Sequence, residues 1–184
     1  MITDIIARNN ETRKAGSIDF DTEGFYQQFP DQKTCIGYLE KVRWQIKPRC
    51  VKCESIDLRR VFEGHRLVAY RFACRRCHTS FNVCSGTIFC TTRVPFQKWF
   101  MAIMIMLENQ DVSVRTLAKM CGLDKRTSWY LLSRLRLEMN ERPEDTGSFE
   151  DFIHGCFHNP KLKNGDKRRV YVTEKGGNTW RVKK

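Results

Sequence analysis

The chain has 184 residues, 41% of them apolar, and its 33 basic against 21 acidic residues give a net charge of +12. This length and apolar content fit two small modules better than one large core, and the charge favours a polyanionic partner such as nucleic acid. No apolar run is long enough to span a membrane and no secretory signal is evident. We therefore expect a reduced, cytoplasmic protein, nucleoid-associated in a bacterium or nuclear in a eukaryote, without membrane contact and without a small-molecule substrate.

The N-terminal part of the chain predicts a flexible segment, residues 1–24, followed by a helix. Asp31 is a natural N-cap, and the apolar residues Cys35, Leu39 and Val42 then recur on one helical face. This helix leads directly into the most informative motif of the chain.

Two Cys-x-x-Cys pairs, Cys50/Cys53 and Cys74/Cys77, predict a bound zinc ion. Zn²⁺ takes four thiolates in a tetrahedron, and a gap of two residues lets one tight turn present two sulfurs to the same ion. A closed shell of four thiolates leaves no position for water or substrate, so one structural zinc is expected. Two disulfides, or cysteines that are merely buried apolar side chains, remain alternatives, although nine cysteines, an odd number, fit a thiolate site better. His78 could also replace one of the sulfurs.

The residues between and after the cysteine pairs predict a three-stranded antiparallel sheet. Segments 56–62 and 67–73 are strand-like and are joined by a turn that contains Gly64, and a third short strand is expected at 80–83. We therefore expect residues 25–93 to form a helix plus a zinc ribbon. The ribbon carries much of the excess positive charge, and the side chains expected to contact DNA phosphates are Arg66, Arg71, Arg75 and Arg76.

Residues 94–142 predict a helical domain whose first helix is apolar on almost every side. It runs from Phe96 to about Asn109 and follows Pro95, whose missing N–H is tolerated in a first turn. A helix of this kind is buried centrally or forms a dimer, and we favour the core. A homodimer therefore remains open.

A helix-turn-helix pattern follows in the same domain. Ser113 can cap a short helix that ends in a turn at Gly122, and Asp124 can cap a longer second helix. In this motif the N-terminal side chains of the second helix reach base edges in the major groove. The residues expected to contact DNA here are Arg115, Lys125, Arg126, Thr127, Tyr130 and Arg134. An ordinary helical hairpin with a solvated basic face would show a similar pattern.

The C-terminal residues 143–184 predict a short basic tail that forms one hairpin or stays disordered. The stretches 161–169 and 181–184 are rich in lysine and arginine and could contact phosphates. Because a lone basic tail is usually solvated, any contribution to binding should disappear steeply with salt.

Specific strings of residues accompany the cysteines along the chain. They include Phe29-Pro30-Asp31, Cys50-Val51-Lys52-Cys53, Tyr70-Arg71-Phe72-Ala73-Cys74-Arg75-Arg76-Cys77, Ser85-Gly86-Thr87-Ile88-Phe89, Thr92-Arg93-Val94-Pro95 and Trp99-Phe100. Over roughly residues 25–140 the chain resembles the N-terminal region of bacterial insertion-sequence transposases of the transposase zinc-ribbon family, which is related to the Merlin superfamily.

The resemblance implies a zinc ribbon and a helix-turn-helix that are followed, in that family, by an RNase H-like, DDE-type catalytic domain holding two Mg²⁺ ions. Only 44 residues follow Asn140, too few for such a domain. The acidic pair Glu150-Asp151 lacks the distant carboxylate partners that two-metal chemistry needs, and it is expected on a surface turn. We therefore expect no enzymatic activity from this chain.

The expected fold class is α+β, a small zinc ribbon with flanking helices followed by a helical helix-turn-helix domain. The favoured function is a non-catalytic, transposase-derived, sequence-specific double-stranded DNA-binding protein. Such a protein would regulate transcription or recognise mobile-element or phage DNA. One alternative is a protein-interaction module acting on RNA polymerase, a transposase or defence machinery through the ribbon and the apolar helix. A further alternative is a truncated transposase.

Overall fold

The computed structural model describes residues 20–63, 66–90, 92–141 and 147–158, without the side chains of residues 63, 66–70 and 158. Within this part of the chain, six helices and one three-stranded antiparallel sheet confirm the expected α+β class. In chain order the elements are α1 Thr22–Gln28, α2 Gln32–Trp44, β1 Leu58–Glu63, β2 Arg66–Cys74, β3 Ser80–Asn82, α3 Phe96–Glu108, α4 Val114–Cys121, α5 Lys125–Glu141 and α6 Phe149–His158. The predicted turn at Gly64 and both basic stretches of the tail lie outside the described residues.

The N-terminal helices confirm one prediction and correct another. Asp31 caps α2, because its side chain accepts a hydrogen bond from the Thr34 N–H, and the predicted face is buried at Cys35 and Leu39. A shorter helix, α1, precedes it and begins at Thr22, inside the segment 1–24 that was expected to be flexible. This helix is too short to show an apolar repeat, and it buries one residue of its own, Phe25.

Helix α3 forms the centre of the molecule, as predicted for its nearly continuous apolar surface. Nine of its thirteen residues are buried, including an unbroken run from Trp99 to Met106. Its Phe100 ring lies edge-on to Phe29, with centroids 4.9 Å apart, and also contacts Tyr38 and Phe149. The predicted boundary between residues 93 and 94 separates α2 from α3, whereas the structure packs both helices in one core.

Helix α6 corrects the prediction of a hairpin or disorder for the start of the tail. Its apolar residues Phe149, Phe152, Ile153 and Cys156 recur at helical spacing and are buried against the core, where α6 packs on α2 and α3. The acidic pair Glu150-Asp151 therefore lies in the first turn of a packed helix rather than on a surface turn.

The sheet and the cysteine pairs form a small unit with its own core, which we call the cysteine module, residues 50–82. Strand β2 pairs with β1 and with β3, and the register places Phe72 opposite Phe81. Besides Cys50 and Cys74, these two stacked rings are the buried residues of the module core. The remainder, α1 to α6 with the loop 83–90, is called the helical body.

At the end of α2, Trp44 contacts the cysteine module, and its neighbour Arg43 binds the loop 83–90 that follows the module. The Trp44 ring packs edge-on against Phe72 and Phe81, at centroid distances of 5.7 and 6.3 Å. The Arg43 guanidinium donates hydrogen bonds to the carbonyl oxygens of Val83 and Ser85, and it also lies over aromatic rings of both α2 and α6. Burial lowers the pKa of Arg43 to about 10, so the side chain stays charged at neutral pH.

None of the helices in the described part of the chain is both long enough and apolar enough to cross a bilayer.

Candidate metal centre and nucleic-acid interface

The four predicted cysteines converge on one point of the cysteine module. Their Sγ atoms all lie within 4.8 Å of one another, with 3.4 Å between those of Cys50 and Cys77 and 3.6 Å between those of Cys53 and Cys74. All four are free thiols, which excludes the two-disulfide alternative for this arrangement. His78 is exposed and does not belong to the group. The cysteines can therefore hold one metal ion.

The dimensions of this sulfur cluster fit a tetrahedral ion. A tetrahedron with metal–sulfur bonds of about 2.3 Å has sulfur–sulfur edges of about 3.8 Å. The distances of 3.4 and 3.6 Å are close to this value and no pair of sulfurs is more than 4.8 Å apart, so a metal requires little movement of the chain. Four thiolates are also the ligand set that Zn²⁺ takes in closed structural sites.

The two Cys-x-x-Cys turns repeat the same backbone geometry. In the first turn the Glu54 N–H donates to the Cys50 carbonyl and the Cys50 N–H donates to the Ser55 carbonyl. In the second turn His78 and Thr79 take the corresponding places around Cys74. Glu54 and His78 have φ angles of 56° and 58°, in the left-handed region, which reverses the chain tightly enough to present two sulfurs together.

One ligand of the second turn has an additional hydrogen-bond partner. The Cys77 Sγ lies 3.3 Å from the Thr79 hydroxyl oxygen. The hydroxyl and the backbone N–H of Thr79 stabilise the thiolate and lower the pKa of Cys77 to about 6. In the first turn the equivalent Ser55 hydroxyl accepts from the Asp57 N–H instead. Thr79 was not singled out from the sequence, because a threonine two residues after a cysteine is common in turns.

Helices α4 and α5 are joined by a short turn of defined geometry. Gly122 ends α4 in the left-handed conformation, with φ of 59°, a conformation that costs a glycine little. Ser113 caps α4 as predicted, and Asp124 accepts a hydrogen bond from the Thr127 N–H at the start of α5. The two helices pack on each other and on α3.

The N-terminus of α5 presents two of the predicted DNA-contacting side chains to solvent. Lys125 and Arg126 are both exposed, as is Arg115 on α4. Thr127 is half-buried, and its hydroxyl donates to the Asp124 carboxylate that caps the helix. The hydroxyl and the N–H of Thr127 lower the pKa of the Asp124 carboxyl, so the capping side chain stays ionised in neutral solution. The Thr127 hydroxyl is thus engaged by the helix cap, whereas the side chains of Lys125 and Arg126 form no hydrogen bond or ion pair within the described part of the chain.

Two further predicted contacts lie on the side of α5 and interact with each other. The Tyr130 ring packs edge-on against Trp99 of the core, with centroids 6.2 Å apart. Its hydroxyl accepts a hydrogen bond of 2.6 Å from the Arg134 guanidinium, which also lies over the same ring. Both side chains are half-buried, so the structure places them at the edge of the helix surface rather than at its exposed tip.

Three of the four predicted arginines of the cysteine module have described side chains, and these are exposed but differ in their partners. Arg71 donates to the Ser80 hydroxyl on the neighbouring strand, and Arg75 lies 3.7 Å from the Asp57 carboxylate in an exposed pair of the kind that contributes little to stability. Arg76 is exposed, whereas the side chain of Arg66 lies outside the described residues. An exposed neighbour on β1, Arg59, was not predicted.

A basic side chain from α3 also reaches the turn between α4 and α5. The Lys98 ammonium lies 3.8 Å from the position that a Cβ atom would occupy at Gly122. Lys98 was not predicted as a DNA contact, because the sequence pattern of α3 is dominated by its buried apolar residues. Its proximity to the turn is a tertiary feature without a local sequence signal.

Comparisons with known proteins give one informative similarity. No family model matches the chain. No solved structure matches it. A relative described as "Uncharacterized protein in transposable element ISH50", from Halobacterium salinarum, is 27% identical over 123 residues, which is 66% of this chain. The matched region is 41% of that relative, so the chain spans less than half of its length. This similarity supports a transposase-related origin of the chain.

Proposed function

We propose that the chain is a sequence-specific double-stranded DNA-binding protein of transposase ancestry, in which α4 and α5 form a helix-turn-helix. Its net charge of +12 favours a polyanionic partner. The similarity to a protein of a transposable element supports the ancestry, and it makes mobile-element DNA or a regulatory site derived from it the expected target.

The observation that carries the proposal is the exposed pair Lys125-Arg126 at the capped N-terminus of α5. In a helix-turn-helix these first positions of the second helix enter the major groove. Lysine and arginine there commonly donate to the O6 and N7 atoms of guanine, which gives base discrimination. Asp124 fixes the start of the helix, so both side chains project from a defined backbone.

The cysteine module has a supporting role in this proposal. We infer that one zinc ion is held by its four thiolates and that the ion is structural, since a closed shell leaves no position for a reacting water. The folded module then presents Arg59, Arg71 and Arg76 from a rigid sheet and turn towards phosphates. Transcription regulation or recognition of mobile-element DNA, rather than strand cleavage, is the proposed use.

Binding-site selection from random duplexes tests the proposal most directly. The full chain loaded with zinc is expected to enrich a defined site, and the double change Lys125→Ala with Arg126→Ala should lower affinity for that site by about tenfold or more. The matched control is Lys41→Ala, because Lys41 is exposed on α2. Binding without any sequence preference, or a double variant that binds like the control, would refute the assignment. Nicking of the selected duplex in Mg²⁺ would contradict the non-catalytic part.

A protein partner is a second candidate, because three large apolar side chains near the sheet are exposed. Ile46, Ile56 and Phe62 are 89%, 65% and 59% exposed. The apolar helix α3, which this alternative also invoked, is buried and offers no face to a partner. Salt separates the two candidates: binding through phosphates weakens strongly between low and physiological salt, whereas an apolar contact does not.

A further inference from the structure

Lys98 is the only basic residue that α3 contributes to the molecule, and it lies beside the turn between α4 and α5. Apart from its approach to Gly122, its ammonium donates to the Tyr26 hydroxyl at 3.4 Å. Tyr26 is itself 38% exposed, so this end of α3 opens to solvent. The lysine therefore reaches from the core helix to the surface next to the proposed DNA-reading helix.

The exposed side of α4 continues this positive charge. Leu117 and Cys121 mark its buried side, and Arg115 and Lys119, one turn apart, lie on the opposite side. Gly122 follows Arg115 by about two turns and so lies on the same stripe. Because the Lys98 ammonium lies against Gly122, the three cations form a continuous strip that ends where α5 begins.

This strip is not neutralised by the surrounding protein. Over the residues that the structure describes, Arg115, Lys119 and Lys98 form no ion pair with a carboxylate. Two carboxylates lie close to the strip along the chain: Asp124 is engaged by Thr127 at the α5 cap, and Asp111, four residues before Arg115, forms no ion pair among the described residues. A row of cations without protein counterions attracts an external polyanion.

We propose that Lys98, Lys119 and Arg115 bind consecutive phosphates of the DNA backbone beside the groove that α5 enters. This inference rests on the proposed function and assigns the strip to positioning rather than to base reading. Two of the three are lysines, whose compact charge suits a phosphate oxygen. Lys98 is on α3, and Arg115 and Lys119 are on the exposed side of α4, so none of the three belongs to α5, the helix proposed to read bases.

The test measures duplex affinity as a function of salt for Lys98→Met, which removes the charge and keeps the aliphatic stem. Loss of one phosphate contact should reduce the slope of log affinity against log salt by about 0.9, and affinity at 0.15 M salt by about fivefold. The reduction should be equal on the selected site and on an unrelated duplex, since phosphates carry no sequence. Lys98→Arg should restore the wild-type slope.

Two further variants keep the test decisive if Lys98→Met perturbs the fold. Lys119→Met alters an exposed side chain and should reproduce the loss of slope, whereas Lys41→Met, on α2, should leave it unchanged. If the wild type binds DNA but Lys98→Met and Lys119→Met show the same salt slope and affinity as Lys41→Met, the phosphate strip is refuted. The proposed function would not be affected by this outcome. A loss restricted to the selected site would also overturn it, because that would assign base reading. Absence of any duplex binding by the wild type would refute the proposed function and the strip together.

Discussion

The helical body and the cysteine module are stabilised in different ways. The body buries nine of the thirteen residues of the apolar helix α3 in a core that also holds aromatic rings from α1, α2 and α6. Among the described residues, the core cluster of the module has four buried members, Cys50, Phe72, Cys74 and Phe81, and two of these are candidate metal ligands. Apolar burial alone can hold the first region, whereas the second is too small to fold without an additional constraint. We therefore expect a metal ion to have a folding role in the cysteine module and not in the helical body.

Metal removal should therefore separate the two regions, and it is the largest effect we expect. Structural zinc in small modules contributes about 10–16 kcal/mol of binding free energy, which appears as folding free energy. A strong chelator, or Cys74→Ser, should unfold β1 to β3 and leave α3 folded. Amide hydrogen exchange measures both, since protection should vanish in the sheet and persist in α3. DNA binding should fall with the sheet.

The control for this experiment is Cys156→Ser, which alters a buried cysteine of α6 outside the metal group. It should leave the stoichiometry of one metal ion per chain unchanged. If metal analysis finds one ion per chain and chelation leaves the sheet protected, the module is held by its own packing. If the helices unfold together with the sheet, the two regions are one cooperative unit.

A core truncation should produce the opposite pattern. Phe100 contacts the rings of Phe29, Tyr38 and Phe149, so Phe100→Ala leaves a cavity at the centre of the body. Truncations of this type cost about 3–5 kcal/mol. Urea unfolding followed by far-UV circular dichroism should show this loss, while the metal stays bound under conditions where the body is folded.

Phe62→Ala is the matched control, because this phenylalanine is on β1 and is 59% exposed. An exposed truncation should change the free energy of unfolding by less than about 0.5 kcal/mol. If Phe100→Ala lowers the free energy of unfolding no more than this control does, the packing around α3 does not stabilise the body.

The two regions also differ in how well the sequence predicts them. The spacing of the cysteines predicts the module closely, because metal ligation demands a fixed gap within each pair, and its strands have local sequence signals. In the helical body, the caps at Asp31 and Ser113 also have local signals. Helix α6 has a readable apolar period, but the basic residues around it favoured an assignment as tail. Helix α1 is too short to show an apolar period, and it is held by the Asp21 cap and by the burial of Phe25 in the core.

Side-chain partners were the least predictable part of the candidate site. Thr127 and Tyr130 have residue types that suit DNA contacts, yet Thr127 donates to the Asp124 cap and Tyr130 packs on Trp99. Lys98 reaches the α4–α5 turn because α3 packs against both α4 and α5. These outcomes depend on contacts between residues distant in sequence, which local pattern and composition do not determine.

The smallest effect concerns the two turns within the cysteine module, which share a backbone but differ in one hydroxyl. Thr79→Val removes the hydroxyl beside the Cys77 sulfur. Partners of metal ligands typically contribute about 10–100-fold in metal affinity, so the variant should bind zinc more weakly by about tenfold. Competition with a chromophoric chelator measures this affinity. Thr79→Ser should restore it, and Ser55→Ala, at the equivalent place in the first turn, should leave it unchanged because that hydroxyl contacts the Asp57 N–H.

The pH dependence of the same variant sharpens the distinction. In the wild type the pKa of Cys77 is lowered from 9.0 to about 6, chiefly by the Thr79 hydroxyl. A lowered pKa stabilises the folded state above the ordinary pKa of the thiol, and this contribution is lost as the pH falls through about 6. Without the hydroxyl the pKa rises, so protons displace the metal at a higher pH than in the wild type. If the pH at which half of the metal is released is the same in Thr79→Val as in the wild type, the backbone N–H alone maintains the Cys77 thiolate. The two turns would then hold the metal equally well.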